Sequence, residues 1–382
     1  MRLNGLHTSP LPQSAALLLA AAGLIPAFLL TGVLVARNRA HVDELRAGWS
    51  ARGAASQAAG RSDDAVADYL NALAHAEADE PDLRLRLAES LQAAGRFTEA
   101  EAQLLTLYTS APGNGIVNLG LARLAAARGD LETAVRHYHG AIDGAWDEDG
   151  AAMRRVARRE LSELLLAAGD VTRAEAELLV LSRNLDGSAQ DALEVAALLV
   201  AAGVGEEARP LLDAVLVQEP GNHDARLMLG RLLYEAGDYA AATRAFETAT
   251  PAALRQDDAG MLDTSRRVLA LDPYARRIGT REQAARVRMA LSVAAMRIDR
   301  CRMVGATAVP GSAPALDELK ATVDEVTRDL PRAGARLDAD ALDSAMTAVF
   351  AVTRLSAAVC GAPTVDEQAL ALIAAAAGTP AA

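Results

Sequence analysis

Along most of this chain, apolar residues recur three and four positions apart, and short breaks carrying a glycine interrupt them. The stretch Leu229–Ala249, LGRLLYEAGDYAAATRAFETA, shows the pattern most clearly. One apolar run stops at Gly237-Asp238 and a second starts at once, with Ala242, Phe246 and Ala249 spaced to share one helical face. The pattern predicts a hairpin of two amphipathic helices. The β-branched and aromatic runs that mark strands are scarce, since 51% of residues are hydrophobic but only 3% are aromatic. The predicted fold class is all-α.

The turn glycine repeats. Gly203 lies 34 residues before Gly237, and Gly169 another 34 before that. Gly129 follows at a spacing of 40, Gly95 at 34 and Gly60 at 35, each glycine with an alanine five residues on. The positions around them carry a fixed vocabulary. The last copy has Leu229, Gly230, Gly237, Tyr239, Ala242, Phe246 and Ala249; the first has Trp49, Gly53, Gly60, Ala65, Tyr69 and Ala72; the third has Gly129, Ala134, Tyr138 and Ala141. Leu104, Leu178 and Leu212 replace the aromatic in the other three, and Pro112 and Pro220 end two copies. This resembles the tetratricopeptide repeat family, whose pattern runs over about 34 residues. The resemblance covers residues 46–256 in six copies. It implies a helical-hairpin solenoid, because a single hairpin cannot bury its apolar face and a stack can.

The family resemblance also implies a concave face, lined by the first helix of each pair, that holds a protein or peptide partner. The residues it places there are Gln57, Leu85, Glu89, Gln92, Leu119, Arg123, Arg159, Glu163, Leu193, Val200, Leu227 and Arg231. Family members that bind chaperones grip a C-terminal carboxylate with Lys and Asn at these positions. This set has neither, so that activity is not carried over. Between copies three and four, Asp143–Arg155 forms an insertion. Its Asp147, Glu148 and Asp149 lack the alternating spacing of a calcium loop and read as a solvated acidic loop, with Trp146 pinning it to the array.

Residues 15–36, AALLLAAAGLIPAFLLTGVLVA, contain no charge and are followed by Arg37 and Arg39. The run is long enough for the roughly 30 Å core of a bilayer and longer than the apolar region of a typical signal peptide. It predicts a single-pass anchor in a bacterial inner membrane, after a tail at 1–14 and before a linker at 37–45. Arg37, Arg39 and Arg46 put the bulk of the chain in the cytoplasm by the positive-inside rule. A long domain behind such a segment is commonly exported, however, and two cysteines suit an oxidising side. Both sides stay open, with the extracytoplasmic one favoured.

Residues 257–382 read as a helical domain. Thr280-Arg-Glu-Gln283 is a capping-box pattern opening a helix to about Met303. A break at 305–314 follows, then helices across about 315–330 and 339–360, and a fourth behind Thr364-Val-Asp-Glu367. Cys301 and Cys360 each fall near a helix end with one helix between them, so either a disulfide or two buried thiols fits. Residues 274–303 carry eight arginines against Glu282 and Asp299. Arg276, Arg277, Arg281, Arg286 and Arg288 could form a basic patch for anionic lipid or an acidic partner; pairing with nearby acidic faces is the plainer reading.

The formal net charge of −12 argues against nucleic acid as a general partner. His137 and His139 are two apart and point to different helix faces, so no metal pair arises. Gly113-x-Gly115 follows no strand, and Lys320 is the only lysine. No catalytic, cofactor or metal residues are assigned, and the chain is expected not to be an enzyme. The expected function is a membrane-anchored scaffold that binds a partner protein or peptide in its groove, in a bacterial envelope assembly or quality-control complex. The alternative is an assembly or regulatory factor acting through the basic C-terminal region; an enzyme with a cryptic site is a distant third. The oligomeric state is not readable.

Overall fold

The computed structural model describes residues 13–76, 80–147, 149–250, 253–304, 312–331 and 336–378, with the side chains of α1 described from Phe28 onward. The described residues form seventeen α-helices and no strand. The chain divides into two compact units, Met1–Glu177 and Leu178–Ala382.

Helices alternate in pairs. The first unit holds α1 (Gln13–Ala58) with α2 (Ser62–Ala74), α3 (Pro81–Ala93) with α4 (Phe97–Ser110), α5 (Gly115–Ala127) with α6 (Leu131–Asp143), and α7 (Gly150–Ala167), which leads into α8 (Val171–Ser182). The second unit holds α9 (Ala189–Ala201) with α10 (Gly205–Gln218), and α11 (His223–Glu235) with α12 (Tyr239–Glu247). After these come α13 (Gln256–Leu271), α14 (Thr280–Val304), α15 (Ser312–Asp329), α16 (Ala339–Val359) and α17 (Val365–Ala376).

The glycine-centred breaks are left-handed helix stops. Gly237 has φ +77°, and the other five turn glycines fall between +71° and +78°. At Gly237 the amide N–H donates to the Tyr234 carbonyl at 3.0 Å and the Asp238 N–H to the Leu233 carbonyl at 2.9 Å, a Schellman closure. Asp238 then caps the next helix, its carboxylate accepting from the Ala241 N–H at 3.0 Å. The Gly-Asp pair thus stops one helix and starts another within two residues.

A different glycine sets the packing distance. A methyl group at Gly230 would lie 2.8 Å from the Phe246 ring, and one at Gly53 would lie 2.7 Å from the Tyr69 ring. Both rings are fully buried, as are Leu104, Leu178 and Leu212 where leucine takes the aromatic's place. The small alanines Ala65, Ala134, Ala174, Ala208 and Ala242 are also fully buried. The insertion is tied down as well: the Gly115 N–H donates to the Ala145 carbonyl and the Ala145 N–H to the Gly113 carbonyl, both at 2.8 Å, and the Trp146 indole donates to the Ala141 carbonyl at 2.9 Å. Glu148 of that loop lies outside the described residues, as do the 305–311 part of the break and most of the N-terminal tail.

One expectation is left without support and another is revised. The apolar run 15–36 falls largely on side chains outside the described set, and among the described residues no helix is long and apolar enough to cross a membrane. The fold therefore gives no support to a transmembrane helix. Residues 37–45, expected as a linker, are helical and continuous with the first repeat helix inside the 46-residue α1. The capping box at Thr364 and Glu367 forms as predicted. Thr280 is itself the first residue of α14, and the Gln283 amide donates to the Pro273 carbonyl at 3.1 Å.

Gly230→Ala is expected to destabilise the chain by about 1–3 kcal/mol through overpacking against Phe246, whereas Gly237→Ala costs about 1 kcal/mol through backbone strain. Urea melts distinguish the two causes: Phe246→Leu should recover part of the Gly230→Ala loss and none of the Gly237→Ala loss.

Candidate functional site

Several of the expected groove residues make bonds between successive first helices. The Gln57 amide on α1 donates to Glu89 on α3 at 3.3 Å, while the Tyr69 hydroxyl donates to the Gln57 carbonyl oxygen at 2.9 Å. Gln92 on α3 donates to the Gly120 carbonyl on α5 at 3.1 Å. Arg123 on α5 makes a two-pronged bond to Glu160 on α7, at 2.9 and 2.6 Å. Glu160 also accepts from the Tyr138 hydroxyl at 3.2 Å. Burial first, and the Glu160 charge second, push the Tyr138 phenol far above its ordinary pKa. Arg159 and Glu163 pair along α7 at 3.9 Å.

Arg231 repeats the arrangement in the second unit. Its guanidinium on α11 grips Asp258 on α13 at 2.6 and 2.9 Å. The Asp258 side chain is fully buried and its carboxyl also accepts from the Arg255 N–H at 3.3 Å. Hydrogen bonding from Arg231 holds that carboxyl below the usual carboxylate range. Leu119 and Leu227, expected on the concave face, are buried core residues. Leu193 and Val200 are half-buried.

Three of the expected residues line an open concavity. Gln57, Leu85 and Glu89 line a cleft of about 470 Å³ together with Ala54, Ala58, Asp82 and Arg86. Sequence reasoning missed Asp82 and Arg86. Their signal was available, since Asp82, Leu85, Arg86 and Glu89 follow the three-and-four spacing of a single helix face. The cleft thus offers an aliphatic centre bounded by both signs of charge.

The basic patch is smaller than its sequence suggests. The Arg286 guanidinium donates to Glu282 at 3.0 Å and to the Asp272 carbonyl at 2.9 Å, and Arg288 donates to the Pro331 carbonyl at 2.7 Å. Arg297 and Arg300 both pair with Glu367, at 3.0 and 2.9 Å, and Arg302 pairs with Asp317. Arg276, Arg277 and Arg281 are exposed. Cys301 and Cys360 form a disulfide, with Cα atoms 5.3 Å apart.

Family models described as "Tetratricopeptide repeat" match residues 50–115, 85–149 and 199–262. A curated relative, cellulose synthase 2 operon protein C of Komagataeibacter xylinus, is 32% identical over 168 residues, which is 43% of this chain and 12% of that protein. Among solved structures, pilF of Pseudomonas aeruginosa aligns at 19% identity and TM-score 0.41, over 54% of this chain and 90% of that one. The C-terminal part of a TPR repeat-containing protein from Cytophaga hutchinsonii aligns at 11% identity and TM-score 0.42, over 82% and 95%. The chain thus carries tetratricopeptide repeats over residues 50–149 and 199–262, where the matched segments also have the hairpin geometry.

Arg231→Ala strands the buried Asp258 carboxylate and is expected to cost about 3 kcal/mol in a denaturant melt. The Asp258 carboxyl is depressed in the fold, so on acidification the unfolded chain binds its proton first. The pair's contribution is therefore complete above the unfolded pKa and is lost as pH falls through the folded one. Melts of Asp258→Asn across pH 2 to 6 should lack this component of the acid loss.

Proposed function

We propose that the chain is a protein-interaction scaffold that takes a partner segment in the cleft between α1 and α3. The observation that carries this reading is the cleft itself. It is an open concavity on the first helices of two matched repeats, where Leu85 supplies an aliphatic floor and Asp82, Arg86 and Glu89 supply charge. Tetratricopeptide repeats are built to present such a surface, and the neighbouring polar residues are already committed to ties between helices. A short partner segment with an apolar anchor and flanking charges of both signs fits the lining.

The same proposal includes a membrane tether. The uncharged run 15–36 supports it, as does the exposure of Phe28, Leu29, Leu30, Val33 and Leu34 along α1, side chains that water solvates poorly. Because α1 continues unbroken into the first repeat, the tether would hold the cleft at a fixed distance from the bilayer. A bacterial envelope assembly or quality-control complex is the setting we propose for this scaffold, with the disulfide favouring the extracytoplasmic side.

A photo-cross-linking residue at Leu85 is expected to give a discrete adduct, whereas the same residue at Val217, equally apolar and 81% exposed on α10, gives none. Adducts from both positions, or from neither, would refute the cleft. Deleting residues 15–36 should release the chain from the membrane fraction while leaving the Leu85 adduct; an unchanged distribution between fractions would remove the tether.

A further inference from the structure

A second cavity, of about 440 Å³, lies among the C-terminal helices and is also lined by Tyr234 of α11. Val293 on α14, Val352 on α16, and Leu370 and Leu372 on α17 make its lining largely aliphatic. Its volume falls in the range of about 300–1,000 Å³ typical of small-molecule sites.

The loop from Cys360 to Pro363 forms one wall, and two residues of α14 hold it. Arg297, whose side chain is 5% exposed, donates to the carbonyls of Ser356, Cys360, Gly361 and Ala362 at 3.3, 3.0, 2.8 and 3.3 Å. One helical turn further along, Cys301 is bonded to Cys360 itself. Four residues separate Arg297 and Cys301, so one face of α14 delivers both attachments. The buried Glu367 carboxylate answers Arg297 and also takes Arg300 and the Thr364 N–H, at 2.8 Å for the last. Two guanidinium groups thus share one carboxylate, leaving an excess of one positive charge near the wall. Gln368, exposed at the rim, adds an amide donor.

We propose that this cavity binds the aliphatic chain of a small carboxylate amphiphile, and that the Cys301–Cys360 disulfide holds the loop wall in its binding form. The lining selects the chain, while the excess positive charge and the rim amide favour an oxygen-bearing anionic head. A dithiol reductant would break the S–S bond to two thiols, itself becoming the disulfide, and leave the wall held by Arg297 alone.

Octanoate is the probe. Equilibrium dialysis of labelled octanoate against the full chain in lipid nanodiscs, with empty nanodiscs as the blank, is expected to show saturable uptake of one molecule per chain. Ala371→Trp and Thr353→Trp fill the cavity from two helices and should each weaken binding by about tenfold or more, the scale of one lost apolar group or a little more. Circular dichroism melts identify any variant that has lost its fold. Acetate should not compete, because it lacks the chain. Dithiothreitol or Cys360→Ser should weaken octanoate binding, and reoxidation of the reduced wild type should restore it. Uptake no greater than the blank, binding unchanged in folded tryptophan variants, or competition by acetate would overturn the site. Undiminished binding by the reduced protein would overturn the role of the disulfide.

Discussion

A buried ring seated on a glycine sets the geometry of the repeats. Where Phe246 covers Gly230 and Tyr69 covers Gly53, the two helices of a pair approach so closely that a single methyl group would collide. The apolar face of each pair then stands at a height fixed by that contact, and the next pair packs on it. The left-handed turn glycine is there for another reason. It has open space around it and is needed only for its backbone conformation. One kind of residue therefore serves two physical needs, distance at one position and chain direction at another.

Packing of this kind leaves the polar positions of the first helices facing one another. The protein uses most of them as ties: Gln57 to Glu89, Gln92 to a backbone carbonyl, Arg123 to Glu160 and Arg231 to Asp258. The two bidentate arginine pairs are the strongest of these contacts, because each matches a planar fork to a carboxylate. A residue engaged in this way has less to offer a ligand, since binding would first have to break the tie. The lining around Leu85 is the part of these faces that is only loosely tied.

The C-terminal helices solve a different problem. The end of α16 and the loop after it turn several backbone carbonyls toward one buried side chain. Arg297 supplies several donors from one side chain, and Glu367 offsets its charge. The disulfide beside it fixes the same loop covalently. The loop is therefore attached twice to α14, beside the aliphatic cavity.

The order of helices, the hairpin turns and the buried small and aromatic positions could all be read from the chain, because each depends on residues within one repeat period. The six turn glycines take the left-handed conformation, and Leu104, Leu178 and Leu212 stand in the core where aromatics stand in other copies. The C-terminal helix limits were also legible within a few residues from spacing and caps. The groove was legible only as a set of positions. Whether Arg231 or Arg123 is free depends on an acid 27 or 37 residues away on another helix, a distance over which sequence periodicity carries no information. The same holds for the arginines of residues 274–303. A run of charge in the sequence became, in the fold, one buried hub at Arg297, several paired side chains and a small exposed remainder, because partners are chosen by packing and not by proximity along the chain.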